Sequence, residues 1–504
     1  METLVRHHQP NSETPIANRH TISHTGGGRR GTGKRMLFLL GLAGILSGLV
    51  AAEYVYLGFI RSQKGVDEAS PQSLVDPEIA RKALSPLAGQ LKTPLNPLQQ
   101  EAVQLADFVL KEWPESVSAI FVRGLILNKF VSRDLGVACW EECIRRAPNF
   151  AEPYYWLGVD RFKRGDYGEA VELLRESLSL GIAHLDAAVV YAEALINLGR
   201  HAEAVEILQQ QLLRYPNHPA THFYLAHALE KLGRLEEAKT HYQEVTRLQP
   251  ENYQGWHGLA MIAQRQNRKT EAAEYFAICR KLQAAFHAGH QEARRRYDDH
   301  ESLRTSLATA YTDVGKLFIE ENRPDEAAQM WRRATEVDPE HVESRLLLVD
   351  YFALRREWNN AIGILEELCK LEPKNFRHRV NAGAAYLAAG NFPEAKRCFQ
   401  SACDLAGDRP EGYVGLIELA VVTGEDLPEA LALANKLVSM DPDSEHYYLL
   451  ARVQFAAGQI NEAIAAAERA VELDPASPRY RDLLTRLKQA AEGSGSSFGD
   501  KASP

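Results

Sequence analysis

Beyond residue 96 the chain is patterned as amphipathic helices. Apolar residues return at i, i+3, i+4 and i+7, so each segment has one face to bury. Residues 219–252 show the unit. Leu225, Leu229, Tyr242 and Val245 mark the apolar faces of two helices, 220–231 and 235–248. Gly233 offers the left-handed residue that stops the first helix. Pro250 ends the second, because its ring and missing N–H cannot continue a helix. Residues 36–60, MLFLLGLAGILSGLVAAEYVYLGFI, follow a different pattern, with seventeen residues before the first charge, Glu53.

The helical unit returns with a period of 34, the mark of a repeat array. Ala170, Ala204, Ala238 and Ala272 are 34 apart, as are Ala327, Ala361 and Ala395; Ala430 and Ala463 follow at 35 and 33. Twelve residues before these alanines stands another mostly small residue: Gly158, Ala192, Ala226, Ala260, Gly315, Gly383 and Ala451. Gly124 holds that place in an extra unit at the front. Side chains this small let the two helices of a unit cross at close range. One helix pair cannot bury apolar faces on both sides, whereas stacked neighbours can, so the expected fold is a superhelical solenoid.

With Tyr155-Trp156-Leu157-Gly158, then Phe162, Ala170 and Leu174 at their offsets, residues 151–184 resemble the tetratricopeptide repeat. Ten units are read: 117–150, 151–184, 185–218, 219–252, 253–286, 308–341, 342–375, 376–409, 410–443 and 444–477. They divide five and five, as repeats 117–286 and 308–477, around an insertion at 287–307 read as a prolonged helix and turn. Residues 96–116 are read as a capping helix, 478–492 as a polar C-terminal cap and 493–504 as a disordered tail. Units 342–375 and 410–443 carry Val349 and Glu418 at the first small site and are expected to pack loosely or mark a bend.

The resemblance implies an all-α, right-handed superhelical solenoid of about ten helix-turn-helix repeats. It implies protein or peptide partners, no cofactor, and a groove lined by the first helices. Three residues before the first small site, those helices present Phe121, Tyr155, Val189, Phe223 and His257 in repeats one to five. Two readings stand: an apolar groove for an extended or helical peptide, or side chains partly buried against the neighbouring repeat. Some members of the family grip a C-terminal carboxylate with Lys and Asn one turn apart. Here Phe121 with Leu125, and Tyr155 with Val159, hold those places, so that clamp is absent.

About 20 apolar residues span a hydrocarbon core as a helix, and residues 36–60 are read as a transmembrane helix after a disordered basic leader, 1–35. Arg29, Arg30, Lys34 and Arg35 precede the span, which places the leader in the cytoplasm and the array outside it. A linker, 61–95, follows. The rival is a cleaved secretory signal ending at Val50-Ala51-Ala52, which leaves a secreted or periplasmic protein.

Charge and chemistry narrow the function. The net charge is −9; residues 1–65 hold eight basic and three acidic residues, so the rest carries 50 and 64, or −14. Such a body is a poor binder of nucleic-acid phosphate. Six cysteines without a CxxC are read as core residues, with Cys398 and Cys403 the pair to check for oxidation. His287, His290 and His300 beside Asp298 and Asp299 do not put three metal ligands on one helical face, and are read as a solvated helix. No small-molecule substrate is evident and no catalytic motif occurs. The expectation is a membrane-anchored scaffold that binds proteins through its concave surface and is not an enzyme. The alternatives are a soluble peptide-capturing protein and an accessory subunit of an envelope enzyme.

Overall fold

A computed structural model describes residues 76–495, apart from 88, 90, 92–93, 183, 297–298 and 408. The leader, the expected membrane span at 36–60, residues 61–75 of the linker and residues 496–504 lie outside the described residues. No helix among the described residues is long and apolar enough to cross a membrane. The described residues form 23 helices and no strand.

Helices α1 (Pro77–Ala83) and α2 (Pro97–Glu112) precede ten pairs. The first five are α3 (Val117–Phe130) with α4 (Arg133–Arg146), α5 (Ala151–Arg164) with α6 (Tyr167–Ser179), α7 (Ala187–Asn197) with α8 (His201–Arg214), α9 (Pro219–Lys231) with α10 (Leu235–Leu248), and α11 (Tyr253–Arg265) with α12 (Lys269–Arg296). The second five are α13 (Asp299–Glu320) with α14 (Pro324–Val337), α15 (Val342–Leu354) with α16 (Trp358–Leu371), α17 (Phe376–Ala389) with α18 (Phe392–Leu405), α19 (Glu411–Thr423) with α20 (Leu427–Met440), and α21 (Ser444–Ala456) with α22 (Ile460–Leu473). Helix α23 (Pro478–Gly495) ends the row.

In four pairs a glycine faces a large residue sixteen positions later: Gly124 with Trp140, Gly158 with Leu174, Gly315 with Trp331 and Gly383 with Phe399. A Cβ added to Gly158 would lie 2.6 Å from Leu174 Cγ, and one on Gly383 2.6 Å from Phe399 Cε1. Ala192 and Ala226 are buried, as are Leu208 and Tyr242 at the same offset. The nine alanines of the second small site are buried as well. The two repeats with a large residue at the first small site bury it. Val349 is buried, and Glu418 is buried with the sizes reversed, its partner sixteen positions on being Ala434. The Glu418 carboxylate is neutralised by Arg452 of the following pair.

Nine of the ten turns between paired helices contain a left-handed residue; the first, through Val131 and Ser132, does not. Gly165, Gly199, Gly233, Gly390 and Gly458 supply it with φ between 76° and 84°. Asn267, Asn322 and Arg356 adopt the same bend, φ 57–60°, where the glycine is missing. Consecutive first helices touch, as α7 does α9 and α17 does α19, while consecutive second helices make no comparable contact. The stack therefore curves with its first helices on the shorter, inner arc.

The two groups of five do not run on in one line. Helix α13 packs on α2 and α3, where a simple continuation would stack it on α12. Phe318 of α13 meets Trp113 edge-on, ring centroids 4.8 Å apart, and Phe108 at 6.2 Å. Tyr311 donates to Glu101 at 2.7 Å, Arg333 pairs with the same carboxylate at 2.8 Å, and Arg323 pairs with Glu112 at 2.6 Å. The arrays thus join by their leading ends. Helix α12, at 28 residues, is about 42 Å long and starts the chain on its way back to this seam.

A buried arginine ties the entering strand of chain to the same end. Arg123 of α3 is fully buried. Its guanidinium donates to the carbonyls of Ala83 (2.7 Å), Ser85 (2.7 Å) and Ala106, and pairs with Asp107 at 3.1 Å. Asp107 in turn accepts from the Leu87 N–H at 2.9 Å.

Two glycine substitutions separate crossing geometry from helix propensity. Gly383→Ala drives a methyl into Phe399 and is expected to cost about 1–3 kcal/mol. Gly363→Ala, inside α16 with nothing within 4 Å of the new Cβ, is expected to gain about 0.5–1 kcal/mol. Denaturant melts of the two variants check this; a shift of the same sign in both removes the crossing argument.

Candidate protein-binding groove

The inner wall of the first array is made by α3, α5, α7, α9 and α11. The five residues at the candidate groove site differ in exposure. Tyr155 and Val189 are buried, each only 6% exposed. The His184 ring stacks on Tyr155 with centroids 4.4 Å apart, and Phe150 meets Phe121 edge-on at 5.5 Å. In both cases the covering ring lies 29 positions on, in the turn that leads into the next first helix, so that turn folds over the site. Phe121 and Phe223 are half-buried, the latter against Tyr242 at 6.0 Å. His257 alone is exposed. At Tyr155 and Val189 the burial matches the second of the two readings, packing within the array.

The open part of the wall lies one and two turns further along each helix. Leu125, Val159, Phe162, Ile196 and Met261 are half-buried, and the first four pack against core clusters. Leu125, Val159 and Met261 stand four residues after Phe121, Tyr155 and His257, on the same helical face. That spacing was readable in the sequence; what hid these positions was the covering turn, which shields the first residue of the face and leaves the second open.

The second array presents a different inner surface. Lys316 of α13 lies between Asp313 (3.3 Å) and Glu343 (2.7 Å). Burial alone would lower its pKa, but the two carboxylates hold the ammonium well above its usual range. Glu418 pairs with Arg452, and Arg479 packs over the Tyr448 ring at 4.2 Å while pairing with Glu445. These charges satisfy one another.

Comparison with known proteins identifies the architecture. Sequence profiles of the tetratricopeptide repeat match residues 161–222, 201–262 and 423–487, and residues 313–378 and 380–445, together just over half of the chain. The chain belongs to the tetratricopeptide-repeat family. No curated protein is significantly similar in sequence. Similar solved structures include YrrB, "a TPR protein with an unusual peptide-binding site", 18% identical over 37% of this chain and 97% of that one, TM-score 0.33. Yeast Tom70 is 15% identical over 77% of this chain and 98% of its own, TM-score 0.32. MamA from Desulfovibrio magneticus RS-1 is 19% identical over 38% and 98%, TM-score 0.30.

Other polar groups of this tetratricopeptide-repeat protein serve packing and capping. His446, Asp441 and Asp443 gather in one turn. Asp443 there accepts the His446 N–H at 2.7 Å, capping α21, and His446 Nδ1 donates to the Asp441 carbonyl at 2.7 Å. His287 and His300 are exposed; the side chains of His290, Asp298 and Asp299 lie outside the description. All six cysteines are free thiols, including Cys398 and Cys403. Cys139, Cys143, Cys279 and Cys369 are buried, and burial pushes the Cys139 thiol up to about 12.

Three histidines, His227, His241 and His341, have lowered pKa values. His222 Nε2 donates to the Pro216 carbonyl at 2.9 Å, which leaves its Nδ1 to accept from His241 Nδ1 at 3.0 Å. Burial, then the His222 ring, lowers the His241 pKa. Burial followed by Lys231 lowers His227, and burial lowers His341. A lowered folded pKa means that the unfolded chain takes up protons first, near the ordinary value of about 6.5. The stability is therefore complete above that pH and lost as pH falls below it. The melting midpoint is expected to drop by a few degrees between pH 7.5 and 5.5, and by less in His241→Asn, which keeps a donor towards His222. An equal drop in both proteins would clear His241 of any part in it.

Proposed function

We propose that the protein is a membrane-held adaptor that grips segments of other proteins in the groove of its first array and performs no chemistry of its own. The observation behind this is the half-open apolar wall: Leu125, Val159, Phe162 and Ile196 keep solvent-facing carbon on an inner, curved surface, where a peptide can cover it. The second array supports the reading by contrast, since its inner charges are already paired within the chain. The anchor rests on the sequence of residues 36–60 and its basic flank.

Leu125→Asp combined with Val159→Asp places two carboxylates on that wall. Neither position is fully buried, and the fold is expected to persist by circular dichroism. Truncating a central apolar anchor costs on the order of 2 kcal/mol, or about thirtyfold, and the double variant is expected to lose its partners in affinity capture from a membrane extract. Glu236→Ala with Glu237→Ala, on α10 away from the inner wall, serves as the control and is expected to retain them. Full capture by the aspartate variant would move binding off this groove.

Membrane placement has its own test. A reporter active only outside the cytoplasm is expected to work when fused after Pro114 and to stay silent when fused after Lys34. The opposite pattern reverses the orientation, and release of the Pro114 fusion into the soluble fraction favours cleavage after Ala52.

A further inference from the structure

On each first helix of the leading array the inner face continues one more turn. Phe121 and Leu125 are followed by Lys129, Tyr155 and Val159 by Lys163, Phe223 and His227 by Lys231, and His257 and Met261 by Arg265. The four cations stand at the same place in repeats one, two, four and five, and all are exposed. Asn197 takes the position in repeat three. Arg265 reaches back to Glu230 at 3.1 Å. Lys129, Lys163 and Lys231 have no ion pair among the described residues.

A base in the last turn of a helix also complements the helix dipole, so the row needs a reason beyond that. The dipole acts alike on every first helix. Yet α13, α15, α17, α19 and α21 of the second array carry no base in their last turns. The row is therefore confined to the array whose inner wall is apolar and open. Acids on that wall are already engaged: Glu193 accepts from Tyr224, and Glu230 accepts from Tyr242 and pairs with Arg265. In a body that is otherwise strongly acidic, three unpaired lysines run along one edge of an apolar groove.

We propose that the groove of the first array selects an acidic, apolar peptide segment in extended form, whose apolar side chains seat beside Leu125, Val159 and Phe162 and whose carboxylates meet Lys129, Lys163 and Lys231. The proposal rests on the groove reading above and adds the chemistry of the occupant. Packed helices lie about 9 Å apart, the length of about three residues of extended chain. Carboxylates three residues apart therefore match neighbouring cations, with a gap at repeat three.

The test presents the full chain in detergent with a displayed library of random 12-residue peptides at low salt. The wild type is expected to enrich peptides that combine apolar residues with net negative charge. Lys129→Glu with Lys163→Glu and Lys231→Glu, all at exposed positions, is expected to enrich peptides of the opposite sign. Each exposed ion pair is worth a few-fold, so the strongest acidic peptide should bind on the order of tenfold more weakly to this variant. Its affinity for the wild type should fall in high salt. Enrichment of neutral or basic peptides by the wild type, or of one acidic set by both proteins, overturns the proposal while leaving an apolar groove. Enrichment that survives Leu125→Asp with Val159→Asp overturns the groove itself. Displacement of the acidic peptide by an equal concentration of oligo(dT) would make the row a phosphate track and equally overturn the proposal.

Discussion

Everything in this molecule depends on how closely two helices can cross. Most repeats have one small position and, sixteen residues later, a large residue that fills the space. Gly158 receives Leu174, Gly315 receives Trp331 and Gly383 receives Phe399. The contact fixes the tilt within a pair, and the tilt fixes how the next pair can stack. Interiors packed this tightly tolerate little change in volume. The Glu418 repeat makes the same point from the other side: a large residue enters the small site only with Ala434 opposite and a counter-charge from Arg452.

The second constraint acts once, at the leading end. Arg123 has no solvent to turn to, and nearly all its donors are used by Ala83, Ser85, Ala106 and Asp107. A buried charge of this kind is tolerated only when fully partnered, and losing one partner typically costs about 3–5 kcal/mol. It holds the chain entering from the amino-terminal side against α2 and α3. Helices α2 and α3 also receive α13, so one corner of the molecule positions both the entering chain and the joint between the arrays.

Much of the fold was legible in the sequence because a repeated unit states its rule many times over. The alanine spacing, the glycine stops and the proline ends all describe contacts between residues near one another in the chain. The joint was not legible, because Glu101 with Arg333 and Trp113 with Phe318 are single contacts across long sequence distances and have no period to betray them. The groove was half legible. The right helices and the right face follow from the 34-residue phase, but exposure along that face depends on a turn 29 residues later. His184 above Tyr155 is a matter of tertiary geometry, and the sequence offers no count that separates a covered aromatic from an open one.

Joining the arrays by their leading ends has a consequence for biosynthesis. Trp113 and Phe108 are made early, while their partner Phe318 follows about 200 residues later, which at about 5–20 residues per second is about 10–40 s of translation. For that interval the first array can fold, repeat upon repeat, with one apolar end uncovered. The long-lived bare edge is α2 and α3, and it is the surface a nascent-chain chaperone would meet. A ribosome paused between residues 146 and 299 would hold the protein in a half-built form whose aggregation risk is concentrated at a single, predictable face.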